Sequence, residues 1–337
     1  MKDFIKKVVA RINLTQAEAS LAMDAIMKGQ ATPSQIAAFI TALSMKGETI
    51  DEITGCAQKM REHAINISPK QKNLVDTCGT GGDVSGTFNV STVSALVVAG
   101  AGVPVAKHGN RSVSSKCGSA DVLEALGVKI DLEPKKVEAC INEVGIGFIF
   151  APKFHAAMKY AMPSRQEIGI RTIFNILGPL TNPAKASAQV LGVFKPELTE
   201  VMAKVLNNLE TKHALVVHGL DGLDEISISS KTKVSELKSG KVKTFELSPK
   251  ELGLKKGDKA DLKGGSANEN AAIALEILKG SDKGARRDMV LANAGAAIYV
   301  GGKAKDLKEG IKLAAESIDS GAANKKLAEL IKFSSEV

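Results

Sequence analysis

Tryptophan is missing from this chain, tyrosine occurs twice, and aromatic residues make up 4% of its 337 positions. So few aromatic faces leave little on which bases can stack, which counts against a single-stranded nucleic-acid binder. Acids are outnumbered by bases, giving a net charge of +8. The lysines nevertheless alternate with acids, as on a solvated surface, and form no basic stripe. Charge of this size suits anionic ligands of several kinds. Long apolar runs are also lacking: the longest, 93–105, is broken by glycine and too short to span a bilayer. Residues 1–10 hold Lys2, Lys6 and Lys7 without an apolar core or small-residue cleavage site, so no signal peptide is expected. Cysteine is sparse, and Cys56, Cys78, Cys117 and Cys140 form no C-x-x-C pair. A reduced, cytoplasmic setting is the expectation.

A hydrophobic fraction of 44% and this length provide core enough for two domains or one large one. Three threonines are each followed three residues later by Glu or Gln: Thr15/Glu18, Thr32/Gln35 and Thr49/Glu52. Each pair is a capping-box signature opening an apolar-periodic run, and Gly29 and Gly47 close the first two runs. An all-helical unit over 1–69 follows. From residue 73 strands and helices alternate, with strands predicted at 73–77, 103–106, 146–150, 189–194 and 213–217. Helices are predicted at 93–99, 119–126, 134–144 and 196–209. This pattern predicts an α/β domain over 70–337 with a mainly parallel sheet, and 226–247 reads as antiparallel strands. Two helices, 154–160 and 164–177, are expected on either side of Pro163. Segment 163–183 is a candidate to return to the helical unit and complete it.

The densest chemistry lies in DTCGTGGDVSGTFNVST, residues 76–92, between a strand and an apolar helix. Glycines allow close backbone approach, and the first N–H groups of the helix point at a ligand, so the loop suits an anion. It is neither of two familiar phosphate loops. Thr87 stands where the Walker A pattern needs lysine, and Val84 where the dinucleotide fingerprint needs its third glycine. A second loop, residues 107–121, supplies cations, an amide, a histidine and four serines after the next strand. In a parallel sheet both loops reach the same edge. A third segment, 217–225, ends in Asp224 and Glu225, hard oxygen ligands suited to Mg²⁺ beside a phosphate. Adjacent acids are commonly surface residues, so this pair gains weight only from the two loops.

The segments DTCGTGGD, SGTFNVST, KHGNRSVSSKCGSADVLEALG, RTIFNILGPLTNP and HGLDGLDE occur in an order that resembles the anthranilate phosphoribosyltransferase family. The likeness spans nearly the whole chain. It implies the nucleoside phosphorylase-like fold, a small helical domain joined to a larger α/β domain, and a homodimer formed through the helical domain. The implied reaction moves the phosphoribosyl group of phosphoribosyl pyrophosphate (PRPP) to the amino group of anthranilate, releasing pyrophosphate with Mg²⁺, two ions per site. It is the second step of tryptophan biosynthesis from chorismate.

Motif by motif, the resemblance implies that Gly79, Gly82, Asp83, Thr87, Asn89, Val90, Ser91 and Thr92 line the PRPP site. Lys107, Gly109, Asn110, Arg111, Ser112, Val113, Ser114, Ser115 and Ser119 would complete it. Anthranilate would meet Gly79, His108, Asn110 and Arg165, while Ser91, Asp224 and Glu225 would hold metal. No obligatory catalytic acid or base is implied, because positioning and electrostatics suffice for displacement of pyrophosphate. Ala156 and Gln166 depart from the proline and basic residue common in the family, without removing a ligand. Two rivals stay open. A pyrimidine nucleoside phosphorylase shares the fold but lacks GTGGD followed by TFNVST. Nucleic-acid-binding relatives have lost the acceptor residues that Asn110 and Arg165 represent here.

Overall fold

The computed structural model describes residues 1–81, 86–112 and 117–336. Four helices come first: α1 (Lys2–Val9), α2 (Gln16–Met27), α3 (Pro33–Lys46) and α4 (Ile50–His63). All three capping boxes form, with the side chains of Thr15, Thr32 and Thr49 each accepting the N–H three residues on and their own N–H donating back to the Glu or Gln side chain there. Each box satisfies two donors that a helix start would leave orphaned. Glu52 does more than cap. Its buried carboxylate also accepts Leu14 N–H and the Lys46 ammonium, both at 2.9 Å, so it ties the α1–α2 loop to the end of α3. Met23, Ile26, Phe39, Ile40, Leu43 and Ile53 fill the core between these helices.

Beyond them lies one seven-stranded sheet made of β1 (Val75–Gly79), β2 (Val105–Gly109), β3 (Ile146–Phe150), β4 (Ala188–Gly192), β5 (His213–Gly219), β6 (Thr232–Lys238) and β7 (Lys241–Leu247). Its order is β3-β2-β1-β4-β5-β6-β7, with the first five strands of the chain parallel and the last two antiparallel. Between β1 and β2 runs α5 (Val90–Gly100), and between β2 and β3 run α6 (Ser119–Ala125) and α7 (Pro134–Glu143). The crossover back to β4 carries α8 (Ala151–Phe154), α9 (Met162–Ile168) and α10 (Phe174–Leu177), and α11 (Leu198–Asn208) leads to β5. The chain finishes with α12 (Ala267–Leu278), α13 (Ala285–Val300), α14 (Leu307–Asp319) and α15 (Ala322–Ser335). Strand alternation sorts the two faces. Leu215 and Val217 join the core shared with α5 and α13, while Ala214 and Val216 join α11 and the helical unit. No helix among the described residues is long and apolar enough to cross a membrane.

Three expectations need correcting. Lys107, His108 and Gly109 are strand and not loop, because β2 stays in register with β3 as far as Gly109 opposite Phe150. The helix expected over 164–177 is two short ones. Gly169 adopts φ of 62° at the end of α9, and the chain is non-helical until α10, where Asn175 caps the turn by accepting Thr172 N–H. The helix expected over 154–160 is α8 followed by a 3₁₀ turn (Ala156–Tyr160), with His155 at the break. Pro163 separates nothing: it lies in the first turn of α9, where its missing N–H costs no bond.

Candidate active site

Strand order reverses between β1 and β4: the chain leaves β1 toward β2 and β3, then crosses back to lie on the other side of β1. Parallel sheets bind ligands in the crevice that such a reversal opens at the strands' carboxyl ends. Gly79 and Gly192 are register partners at that end. A Cβ on Gly79 would lie 2.5 Å from Asp224 Oδ2, and one on Gly192 would overlap the Asp224 carbonyl. Both must be glycine for Asp224 to lie against the crevice. Asp224 Oδ2 there accepts Gly81 N–H at 3.0 Å, so the third segment does reach the first loop.

Alternation along β2 divides the site. Lys107 is buried, and its ammonium donates to Thr77 O at 2.6 Å and to Ser91 Oγ at 3.3 Å, on the side where α5 begins. Burial lowers its pKa, against the neighbouring charges of Asp76 and Glu225, which raise it. His108 is buried on the opposite face, its ring centroid 5.1 Å from that of His155. Burial depresses the two rings to about 3 and about 4, so both are neutral at pH 7. Each has a backbone partner, at Gly178 and Thr181, and neither Nε2 has any among the described residues. Asp76 braces β2 from below: its carboxylate accepts His108 N–H at 3.1 Å and Asn182 Nδ2 at 2.8 Å. Burial pushes Asp76 up to about 6, although Lys107 and these bonds pull it down.

At the start of α5, Asn89 does not cap its helix and instead donates to Cys117 O at 3.2 Å. Thr87 forms an antiparallel bridge with Lys263. Thr92 is buried with its hydroxyl unpartnered among the described residues, and Val90 packs into the core. In the second loop Asn110 O accepts from Ser119 Oγ, while the Asn110 side chain accepts Arg111 N–H. Arg111 is engaged elsewhere, paired with Asp121 and Glu124 on α6 and lying over Phe150. Ser112 N–H goes to Asp121 as well. Arg165 is half-buried with its guanidinium 5.1 Å above the Phe174 ring, and no carboxylate among the described residues pairs with it. Burial lowers its pKa. Gly82, Asp83, Val113, Ser114 and Ser115 lie outside the described residues.

Two family models of the glycosyl transferase family match, the helical bundle domain over residues 2–64 and the a/b domain over 71–324. An anthranilate phosphoribosyltransferase from Alkaliphilus metalliredigens is 58% identical over 100% of this chain and 99% of its own. The chain belongs to the anthranilate phosphoribosyltransferase family. The anthranilate phosphoribosyltransferase of Thermus thermophilus superposes with a TM-score of 0.94 at 46% identity, covering 99% of each chain. That of Saccharomyces cerevisiae, solved in complex with PRPP and Mg, superposes at 0.91 with 29% identity, covering 99% of this chain and 98% of its own. Within the anthranilate phosphoribosyltransferase frame, two buried side chains at the site escaped the motifs. His155 sits just past the carboxyl end of β3, a position that topology alone marks. Asn270 lies far downstream, inside a helix whose cap signature is Ser266/Glu269.

Proposed function

We propose that the chain transfers the 5-phosphoribosyl group of PRPP to the amino nitrogen of anthranilate, giving N-(5-phosphoribosyl)anthranilate and pyrophosphate. The observation that carries this is the Asp224 carboxylate against Gly81 N–H, in a glycine loop otherwise built for an anion. Two acids beside a polyphosphate repel it unless a divalent cation lies between them. Asp224, Glu225 and the Ser91 hydroxyl fit Mg²⁺, a hard cation that fills its shell with phosphate and water oxygens. Two ions per site with PRPP bound is the occupancy we infer. When bound, Mg²⁺ neutralises charge on the departing pyrophosphate.

The protein's residues do the positioning. Gly79, Gly82, Asp83, Thr87, Asn89 to Thr92, Lys107, the loop from Gly109 to Ser115 and Ser119 hold PRPP. Asn110 and Arg165 hold anthranilate, with Gly79 and His108 beside it. As the anomeric C–O bond to pyrophosphate breaks, the amine lone pair forms the new C–N bond and the nitrogen then gives up a proton to solvent. Such displacements pass through an oxocarbenium-like state, so alignment and charge stabilisation matter most. Neutral His108 and His155 offer an uncharged wall to an aromatic ring, and no side chain is required as general base.

The helical unit, 1–69 completed by 163–183, contributes Arg165 to the acceptor side, and α/β residues 70–337 contribute the phosphoribosyl side and the other acceptor contacts. Support for the completion comes from Ser164 Oγ donating to Pro33 O, and from Arg61 donating to Leu180 O at 2.7 Å. Val9, Leu21 and Met45 are 65%, 60% and 72% exposed on this unit, which supports a homodimer formed through it, checked by sedimentation equilibrium. Loss of anthranilate fluorescence tests the activity: it should require PRPP and a divalent cation together. Phosphorolysis of thymidine or uridine, with anthranilate untouched, would move the chain to the nucleoside phosphorylases.

A further inference from the structure

Asn270 is 3% exposed, near the start of α12, where neither helix propensity nor burial favours an asparagine. A buried amide is kept where its bonds matter. Its Oδ1 accepts Gly265 N–H at 2.8 Å, and its Nδ2 donates to Asn89 Oδ1 at 3.0 Å. Its side chain is also in hydrogen-bond contact with the Cys117 thiol. Segment 262–265, which Asn270 holds, pairs with the first loop: Gly264 N–H donates to Gly86 O at 2.9 Å and Phe88 N–H to Leu262 O at 3.2 Å. One side chain therefore touches Asn89 beyond the end of β1, Cys117 beyond the end of β2, and the strap that flanks Gly86 to Phe88.

The amide of Asn89 has two ends, and Asn270 fixes which way it faces. With Asn89 Oδ1 engaged by Asn270 Nδ2, Asn89 Nδ2 is left to donate to Cys117 O at 3.2 Å. That second bond joins the glycine loop to the stem of the serine-rich loop. Asn89 makes no cap bond to its own helix, so α5 formation does not explain the arrangement.

We propose that Asn270 is a positioning residue for the phosphoribosyl pyrophosphate side of the reaction, setting the spacing of the two phosphate loops through Asn89 and Cys117. This rests on the assignment of those loops to PRPP. The prediction concerns mainly one substrate: loosening the loops should weaken PRPP more than the acceptor, because Arg165 lies on another segment and Asn110 alone is common to the second loop and the acceptor side.

The test is a two-substrate initial-rate matrix with Mg²⁺ for wild type, Asn270→Asp, Asn270→Leu, Asn270→Ser and Asn89→Ala, with thermal melts alongside. Asn270→Asp keeps the shape but turns a carboxylate oxygen toward Asn89 Oδ1, and Asn270→Leu removes every polar contact. Both should raise the PRPP KM about tenfold, the scale of one lost buried hydrogen bond, with a clearly smaller rise in the anthranilate KM. Asn270→Ser retains a donor and an acceptor and should recover part of the loss, and it serves if the others do not fold. A lowered melting temperature with an unchanged PRPP KM, or equal rises in both KM values, overturns the proposal and leaves Asn270 a helix-packing residue. Asn89→Ala separates the two failures. If it raises the PRPP KM while the Asn270 variants do not, this inference alone fails; if it does not, the assignment of the loop fails with it.

Discussion

A guanidinium that lies on an aromatic face, half out of water and with no carboxylate partner, is ready to take one from a ligand. Arg165 over Phe174 meets that description among the described residues. Arginine grips a carboxylate with a planar fork that lysine lacks. Arg165→Ala should therefore raise the anthranilate KM and leave the PRPP KM nearly constant. Loss of a charge-assisted contact of roughly 1.5–3 kcal/mol corresponds to about ten- to hundred-fold in kcat/KM for anthranilate. Arg165→Lys should restore only part of it. An equal rise in both constants would place the residue in domain packing instead. Asp224 and Glu225 carry a second prediction. Asp224→Asn with Glu225→Gln should keep the melting temperature within a few degrees of wild type, because both residues lie at the crevice and not in the core. The Mg²⁺ concentration needed for half-maximal rate should rise and turnover should fall steeply, measured by titrating Mg²⁺ at fixed PRPP. Ordinary rates at limiting Mg²⁺ would return the pair to the role of surface acids. At this scale the reach of the third segment was legible: following a strand, it was expected at the edge of the first loop, and Asp224 lies there against Gly79 and Gly81. Arg111 shows what motif spacing does not reveal: its side chain pairs with Asp121 and Glu124 on α6.

At the scale of the element, the helical caps were the most legible feature because a capping box is local, with every partner within three residues. Glu52 shows how far locality reaches. Its capping role is written in Thr49/Glu52, but its bonds to Leu14 and Lys46 depend on tertiary packing that no spacing reveals. Side chains of the Lys46–Glu52 pair are 4% and 0% exposed, so removing one charge strands the other. Glu52→Ala should cost about 3–5 kcal/mol in urea unfolding, while kcat/KM of the folded fraction stays at the wild-type value. A loss below about 1 kcal/mol, typical of an exposed cap or surface pair, would contradict this. Strand β2 departs from expectation for a reason of the same kind. KHG carries loop-like residues, and only pairing with β3 through Gly109 and Phe150 makes it strand. The break at Gly169 was likewise hidden, since an isolated glycine in a helical pattern does not by itself say whether the helix continues.

Across the whole molecule, alternation of strands and helices was enough to predict a mainly parallel sheet, and the antiparallel pair at 226–247 was legible from its short alternations. Strand order was not legible. The return of β4 to the side of β1 is what creates the crevice, and it depends on packing of the 151–183 crossover against the helical unit. Lys107 and His108 are neighbours on β2 that face opposite ways, one toward Ser91 at the start of α5 and the other toward His155, and on the proposed reading these are the PRPP and acceptor sides. The proposed reaction requires direct transfer between the two sides. The decisive measurement is a single reaction of purified protein with PRPP, Mg²⁺ and anthranilate, in which pyrophosphate is quantified and the aromatic product identified by mass. One pyrophosphate should appear for each anthranilate lost, with the mass of N-(5-phosphoribosyl)anthranilate, and none of either when the divalent cation is chelated. Pyrophosphate release without a phosphoribosylated anthranilate, or no consumption of PRPP at all, would contradict it.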